Sequence, residues 1–473
     1  MNNKASVLIK NISYTITSNL ISLFVSILVV AIVPKLIGVE EYGYWQLFIF
    51  YASYVGFMQF GWNDGIYLRY GGSDYAKLDK KLFFSQFWML VISQIIIASI
   101  IIVGSSLLFL NNVEMQFIFA MVSICTIVSG TRAMLLFILQ GTNRIKEYAQ
   151  ITILDRLIYC SLITLFVVIG IREFQLMITA DLMGRSISLL YAMFCCRDVV
   201  FRKISTFYFS FRETLKNISV GIKLMFSNIS SMLIIGVVRF GIERSWNVST
   251  FGKVSLTLSV SSLMMVFINA IGIVLFPILR RTDEKKLPDI YKTLRDFLMV
   301  ILLGVLIIYY PLRVILTAWL PKYVDSLMYM ALVFPMCIFE GKMALLINTY
   351  LKTLRKEKLM LKINLVSLSF SIIMTFITIV LLKNLNLAIA SIVIILAFRC
   401  VLAEIFLTKI LKIKLYKDVC LELIVTLIFI LTGWFVNSWL VALLYVIVYI
   451  IYLIIKRNDI IRSIRNIKLL IKR

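Results

Sequence analysis

The chain has 473 residues, of which 61% are hydrophobic and 15% charged, with a mean hydropathy of +0.97. Soluble domains carry about a quarter charged residues, so a soluble globular protein is excluded. Lys and Arg outnumber Asp and Glu by 49 to 24, an excess that in a polytopic membrane protein reflects basic cytoplasmic loops rather than a nucleic-acid partner.

The seven Cys lie in or beside apolar runs without a CxxC, and there is no His, so nothing supports a zinc, haem or thiol-redox site, and no cofactor is expected. The first apolar run is longer than a signal-peptide h-region and no small-residue cleavage site follows it, which makes it the first span. Runs of about 20 apolar residues can cross a bilayer as helices. Fourteen are expected. Six cover roughly 11–34, 43–66, 83–110, 114–140, 147–171 and 175–197, and six more 217–238, 250–278, 295–318, 326–351, 359–382 and 386–408. The last two cover 419–436 and 439–455. The fold class is therefore an all-α polytopic membrane protein. Its expected parts are an N-terminal six-helix lobe at 1–197, a cytoplasmic interfacial linker at 198–216, a C-terminal six-helix lobe at 217–408, two further helices at 409–456 and a basic amphipathic tail at 457–473.

An internal repeat supports the two-lobe reading. Adding 209 lays Ser18, Asn19, Ser22, Gly43, Leu47 and Ser53 on Ser227, Asn228, Ser231, Gly252, Leu256 and Ser262, and Tyr42 on Phe251. In the first copy the apolar helix is expected to break at Pro34, before the turn Gly38-Val39-Glu40-Glu41-Tyr42-Gly43. Parallel repeats about an axis normal to the bilayer are one architecture of secondary transporters.

Lys and Arg fall in alternate connections: Lys77, Lys80 and Lys81; Arg144 and Lys146; the linker; Arg280, Arg281, Lys285 and Lys286; Lys352 to Lys358; Lys409 to Lys417; and the tail. Both termini are thus expected to be cytoplasmic. The linker holds Phe207-Tyr208-Phe209-Ser210-Phe211 between basic residues, the composition of a segment on the membrane interface. In the tail, Ile460, Ile464, Ile467 and Ile471 share one helical face among Arg and Lys, as in a helix attracted to anionic lipid.

Charges at membrane depth carry the functional signal, since each costs roughly 2.5–3.5 kcal/mol on insertion scales. They are Arg132, Asp155, Arg156, Asp181, Arg185, Glu340, Lys342, Arg399 and Glu404. Asp181 and Arg185 are spaced i, i+4 and can pair on one helix face. Asp155, Glu340 and Glu404 are candidates for pairing or coupling. Arg132, Arg156, Lys342 and Arg399 have no acid at i±4 and are the candidates for binding an anionic substrate. The stripe Thr15, Ser18, Asn19, Ser22 and Ser26, mirrored by Ser219, Ser227, Asn228, Ser230 and Ser231, suits either cavity lining or close helix packing. Pro277, Pro311 and Pro335 fall in or near spans, where they can kink a helix. No Ser/His/Asp set, P-loop or paired-carboxylate spacing is present, so enzymatic chemistry is not expected.

Three stretches, Leu36-Ile37-Gly38-Val39-Glu40-Glu41-Tyr42-Gly43, Leu139-Gln140-Gly141-Thr142-Asn143-Arg144-Ile145-Lys146-Glu147-Tyr148-Ala149 and the run to Phe276-Pro277, resemble the polysaccharide flippases. These are the O-antigen and capsule branch of the multidrug, oligosaccharidyl-lipid and polysaccharide exporter superfamily. The resemblance spans about residues 5–410 and implies two six-helix lobes around a cationic central cavity. It implies transport of undecaprenyl-pyrophosphate-linked oligosaccharide to the outer leaflet of the bacterial cytoplasmic membrane; because the loops are too short for a nucleotide domain, energy is expected from an ion gradient, of H+ or Na+, or from another subunit. It also implies a place beside a polysaccharide polymerase and chain-length regulator. Two other readings remain. A drug exporter of the same superfamily would favour acidic cavity charges over basic ones, and a membrane-embedded polysaccharide enzyme would need a longer external loop than this chain offers.

Overall fold

The computed structural model describes residues 2–280, 286–436 and 440–471, and the side chains within them apart from those of 2–12, 266–280 and 467–471. Helices α1 (Asn2–Leu36), α2 (Val39–Ala52), α3 (Trp62–Tyr70), α4 (Lys80–Leu108), α5 (Val113–Gly141), α6 (Ile145–Ile169), α7 (Phe174–Cys195) and α8 (Arg197–Val200) lead into α9 (Phe211–Ser245). They are followed by α10 (Val248–Arg280), α11 (Leu287–Val305), α12 (Tyr309–Trp319), α13 (Val324–Leu327), α14 (Met330–Val333), α15 (Met336–Lys342) and α16 (Asn348–Thr353). The chain closes with α17 (Glu357–Thr375), α18 (Leu385–Leu411), α19 (Tyr416–Phe435), α20 (Leu440–Ile455) and α21 (Arg457–Ile471). No strand occurs among the described residues. The chain is an all-α membrane protein. Ten described helical stretches are long and apolar enough to cross a bilayer, and eleven if α20 and the start of α21, bent by 68°, count together. Side chains such as Ile100, Val168 and Leu443 are more than half exposed, which water disfavours and a lipid surface accepts.

Helix starts are set by local chemistry. Asp79, Asn112 and Asn384 cap α4, α5 and α18 by accepting backbone N–H bonds from Lys81, Met115 and Leu387 at 3.0, 2.9 and 3.1 Å. Gly170 closes α6 in the left-handed region at φ 89°, a conformation that disfavours a Cβ. Pro34 does not break the first helix. It lies inside α1, two residues before the helix ends at Leu36, and the chain turns instead at Ile37 and Gly38.

Two compact units emerge, residues 1–229 and 230–473. In the first, α4 packs on α5, α5 on α7, α6 on α7 and α1 on α6, around Trp62, Phe87, Leu90, Leu135, Ile138 and Leu139. The linker, expected to stand apart, belongs to this unit together with the first half of α9. Gln86 on α4 bonds Ser210 and Thr214, while Arg69 pairs with Glu213 at 2.8 Å and Asn217 at 2.5 Å. Phe209 and Phe211 stay exposed and stack at 5.6 Å.

The expected second span is not one helix. After α2 comes a 3-10 turn at Val55–Phe57, then Phe60 and Gly61 in the left-handed region, then α3. The break lets α3 approach α9 closely. A Cβ on Gly65 would lie 1.8 Å from the Asn217 carbonyl oxygen, and one on Gly221 2.0 Å from that of Gly61. The Gly61-x-x-x-Gly65 spacing is the small-residue motif of membrane helix pairs.

In the second unit, α10 and α18 pack on α15, α17 packs on α18, α11 on α15 and α21, and α19 on α14 and α20. The expected tenth span is a chain of short helices with a π-helical segment at Met343–Ile347 directly after Lys342. Pro335 opens α15, and Pro311 lies in the first turn of α12 behind a 3-10 step at Leu306–Ile308. Pro277 lies outside the described side chains.

The 209-residue offset extends to helix boundaries. Both α1 and α9 have 35 residues, and α2 and α10 begin at Val39 and Val248. Ser18 and Ser227 are both buried, Asn19 and Asn228 both exposed, and Ser22 and Ser231 both intermediate. Further along, α6 and the stretch Glu357–Leu381 each have 25 residues.

Candidate functional site

Each unit buries a polar node. In the first, Arg132 on α5 donates through one nitrogen to Asp155 on α6 at 2.7 Å and to Ser188 on α7 at 2.9 Å. Arg185 on α7 pairs with Asp181 at 2.8 Å, the i, i+4 pair expected from spacing, and reaches Ser129 on α5 at 3.1 Å. These four charges sum to zero. Arg156 is half-buried and makes no hydrogen bond or ion pair among the described residues.

In the second unit Arg399 on α18 is the hub. It donates to Glu340 on α15 at 3.0 Å, Asn364 on α17 at 3.1 Å and Ser231 on α9 at 2.7 Å. By helix order these are the counterparts of α5, α6, α7 and α1. The two nodes therefore tie corresponding helices, with the arginine moved from the α5 position to the α7 position. Of the polar stripe, Ser231 joins a node. Ser18, Ser22 and Ser26 instead donate to carbonyls in the preceding turn of their own helix at 2.8–2.9 Å.

A larger charge cluster lies deeper in the second unit. Arg295 on α11 and Lys342 on α15 clasp Glu404 on α18 and Glu422 on α19, at 2.7 and 2.5 Å to Glu404 and 2.7 and 2.9 Å to Glu422. Tyr291 donates to Glu404 at 3.2 Å. Arg295 has no exposed side-chain surface and Glu404 2%. At the rim Lys456 meets Asp296, Asp418 and Asp459 at 3.4, 2.7 and 2.9 Å, and Asn466 on α21 donates to Thr293 at 3.2 Å. The side of α21 that docks on α11 is thus polar, with Ser463 buried, while Ile464 is exposed. Ile467 and Ile471 lie outside the described side chains.

The expectation that Arg132, Lys342 and Arg399 are unpaired is corrected by these contacts. Their acids lie on other helices, 23, 62 and 59 residues away in sequence. The span-by-span reading also passed over Arg295, Glu422, Asp64 and Arg313. Arg295 and Glu422 stand at the edges of apolar runs and look like interfacial flanks, although helices α11 and α19 begin earlier than hydropathy suggests. Arg313 borders a cavity of about 630 Å3 among α12, α13, α19 and α20, whose walls include Tyr310, Val314, Met328, Val436 and Val441.

The sequence profile described as "polysaccharide biosynthesis protein" matches residues 32–320, well over half of the chain. The chain belongs to this polysaccharide biosynthesis protein family. The family member's fold is similar to the lipid II flippase MurJ in an inward closed conformation, with a TM-score of 0.63 at 16% identity over 95% of this chain and 99% of that one. It is also similar to an inward-facing multidrug resistance MATE family transporter of the MOP superfamily, at 0.60 and 13% over 82% and 95%. A MATE transporter in the straight conformation follows at 0.55 and 14% over 86% and 96%. Among curated proteins none matches the chain. The chain shares the fold of these transporters.

Proposed function

We propose that the family member moves a polyprenyl-pyrophosphate-linked oligosaccharide from the cytoplasmic to the outer leaflet of a bacterial cytoplasmic membrane, for O-antigen, capsule or a related surface glycan. The observation that carries the reading is the polysaccharide-family match in a chain with the fold of a lipid II flippase. Buried cations support it, because a pyrophosphate accepts charge-assisted hydrogen bonds that strengthen as the local dielectric falls. Arg156, with no acid partner among the described residues, is the first candidate. Arg132, Lys342 and Arg399 are bound to acids and would act by exchanging a carboxylate for a phosphate. The apolar cavity beside Arg313 has the lining a lipid chain requires. The reading makes the protein a transporter rather than an enzyme. It draws energy from an H+ or Na+ gradient, works beside a polymerase and a chain-length regulator, and has cytoplasmic termini.

The test is deletion of the gene followed by leaflet-resolved detection of polyprenyl-linked oligosaccharide. Accumulation on the cytoplasmic side, reversed by the wild-type chain, is expected. Normal delivery to the outer leaflet without the gene refutes the reading.

A further inference from the structure

The segment between α8 and α9 carries side chains that neither the charged nodes nor the cavity beside Arg313 use. Phe201, Ile204, Phe209, Phe211 and Leu215 are 61–87% exposed, and the Phe209 and Phe211 rings stack on each other. Arg202, Lys203 and Arg212 lie among them, and Lys81 joins from α4, 5.4 Å from the Tyr208 ring. These four cations are exposed and have no carboxylate partner among the described residues. The acids of the same stretch are already engaged, Asp198 by Lys80 at 3.0 Å and Glu213 by Arg69 at 2.8 Å. Water disfavours so much exposed apolar surface, and the uncompensated cations beside it define the charge of what covers it.

The height of the segment in the membrane follows from α4. Of its 29 residues about 20 are needed to cross a hydrocarbon core of about 30 Å. Its far end is apolar and exposed at Leu107 and Leu108, so the core reaches back to the neighbourhood of Trp88. The segment is fixed to α4 at that level. Trp88 Nε1 donates to the Val200 carbonyl at 3.2 Å, the Tyr208 N–H to Ser85 Oγ at 3.2 Å and the Ser210 N–H to Met89 Sδ at 3.3 Å. Side chains of α4 thus satisfy backbone groups that a non-helical stretch could not leave bare at the edge of a bilayer. With the backbone held there, the exposed Phe and Ile side chains reach acyl chains and the cations reach the phosphate layer. A neutral lipid would cover the apolar side chains and leave the cations without counter-charge, whereas an anionic lipid offers chain and phosphate in one molecule.

We infer that the segment between α8 and α9, together with Lys81, is a docking surface for anionic phospholipid in the leaflet on the basic side of the protein. The assignment does not depend on which substrate the protein transports, because its test reads lipid capture rather than transport.

The test replaces Phe209 with photoactivatable benzoylphenylalanine in the full-length protein, reconstituted in vesicles of phosphatidylethanolamine and phosphatidylglycerol, and identifies the cross-linked species by mass spectrometry. The same replacement at Ile100, a lipid-exposed position within α4, reports the bulk proportion of the two lipids. Phosphatidylglycerol should be captured at Phe209 several-fold above that proportion, and the excess should shrink as salt rises. Arg212→Gln should cut it by up to about fivefold, the weight of one cation at an anionic surface, and Arg212→Lys should keep it. Capture in the bulk proportion overturns the assignment, as does an excess that survives Lys81→Gln, Arg202→Gln, Lys203→Gln and Arg212→Gln together. Absence of lipid adducts takes the segment out of the bilayer, and adducts to a second copy of the chain make the surface a protein interface; either result overturns it. Should the fourfold variant fail to fold, the comparison of Phe209 with Ile100 decides alone.

Discussion

Arg132 and Arg399 show what a charged side chain at membrane depth asks of its neighbours. Each finds one carboxylate and at least one hydroxyl or amide on a different helix. Removing one member of such a pair leaves an uncompensated buried charge and costs about 3–5 kcal/mol. Asp155→Asn should therefore lower protein abundance and unfolding temperature, and Arg132→Gln combined with Asp155→Asn should recover part of the loss; a double-mutant cycle on unfolding midpoints measures this. Arg156→Gln is expected to leave abundance unchanged and reduce surface polysaccharide, which immunoblotting and glycan staining of the same cells would separate. Wild-type polysaccharide at matched expression would remove Arg156 from the substrate path. Asp198, on the linker, adds a pH dependence. Burial pushes its carboxyl up, but hydrogen bonds from Tyr75 at 2.6 Å and the ion pair with Lys80 at 3.0 Å hold it below the ordinary range. Because the folded value lies below the unfolded one, this contact stabilises the fold above the carboxylate range and is lost as pH falls through the folded value. Protease nicking near residue 200 should rise in acid, and Asp198→Asn should flatten that response. Only Asp181 with Arg185 could be paired from sequence, because i, i+4 spacing is a local geometry. The partners of Arg132 and Arg399 depend on which helices are neighbours, and spacing along the chain does not contain that.

At the scale of elements, hydropathy located almost every helix, since an apolar run of membrane length has few other solutions. It missed the interruptions. The α2–α3 break rests on Phe60 and Gly61 in the left-handed region and on glycines that bring α3 against α9. The Gly61-x-x-x-Gly65 spacing was visible, but its partner Gly221 is far along the chain. Gly65→Ala should be among the more damaging single substitutions in the first unit, because the methyl meets the Asn217 carbonyl and backbone has to move. A fluorescence-monitored unfolding curve close to wild type would refute that packing. The expected cytoplasmic linker and tail are likewise tied down, by Gln86 and Arg69 in one case and by Lys456 and Thr293 in the other.

For the molecule as a whole, the repeat was the most informative sequence signal, and equal 35-residue helices α1 and α9 carry it into the structure. Orientation rests on loop charge. Cysteines placed at Lys81, Arg144, Lys356 and Lys414 should resist an impermeant thiol reagent added to intact cells, and strong labelling at two of them would invert the topology. The loop at Arg281 lies outside the described residues. The last helices, whose purpose hydropathy leaves open, are fastened to the second unit by Glu422 and Lys456.

That fastening bears on how the protein is made. A ribosome delivers Arg295, Asp296, Lys342 and Glu404 to the membrane well before Glu422, so for a time Arg295 and Lys342 lack the second glutamate that they later share. That contact arrives only with α19. A chain ended by a premature stop after α18 would leave Arg295 and Lys342 without Glu422, and is expected to be less abundant than the full-length protein at equal synthesis, as immunoblotting would show.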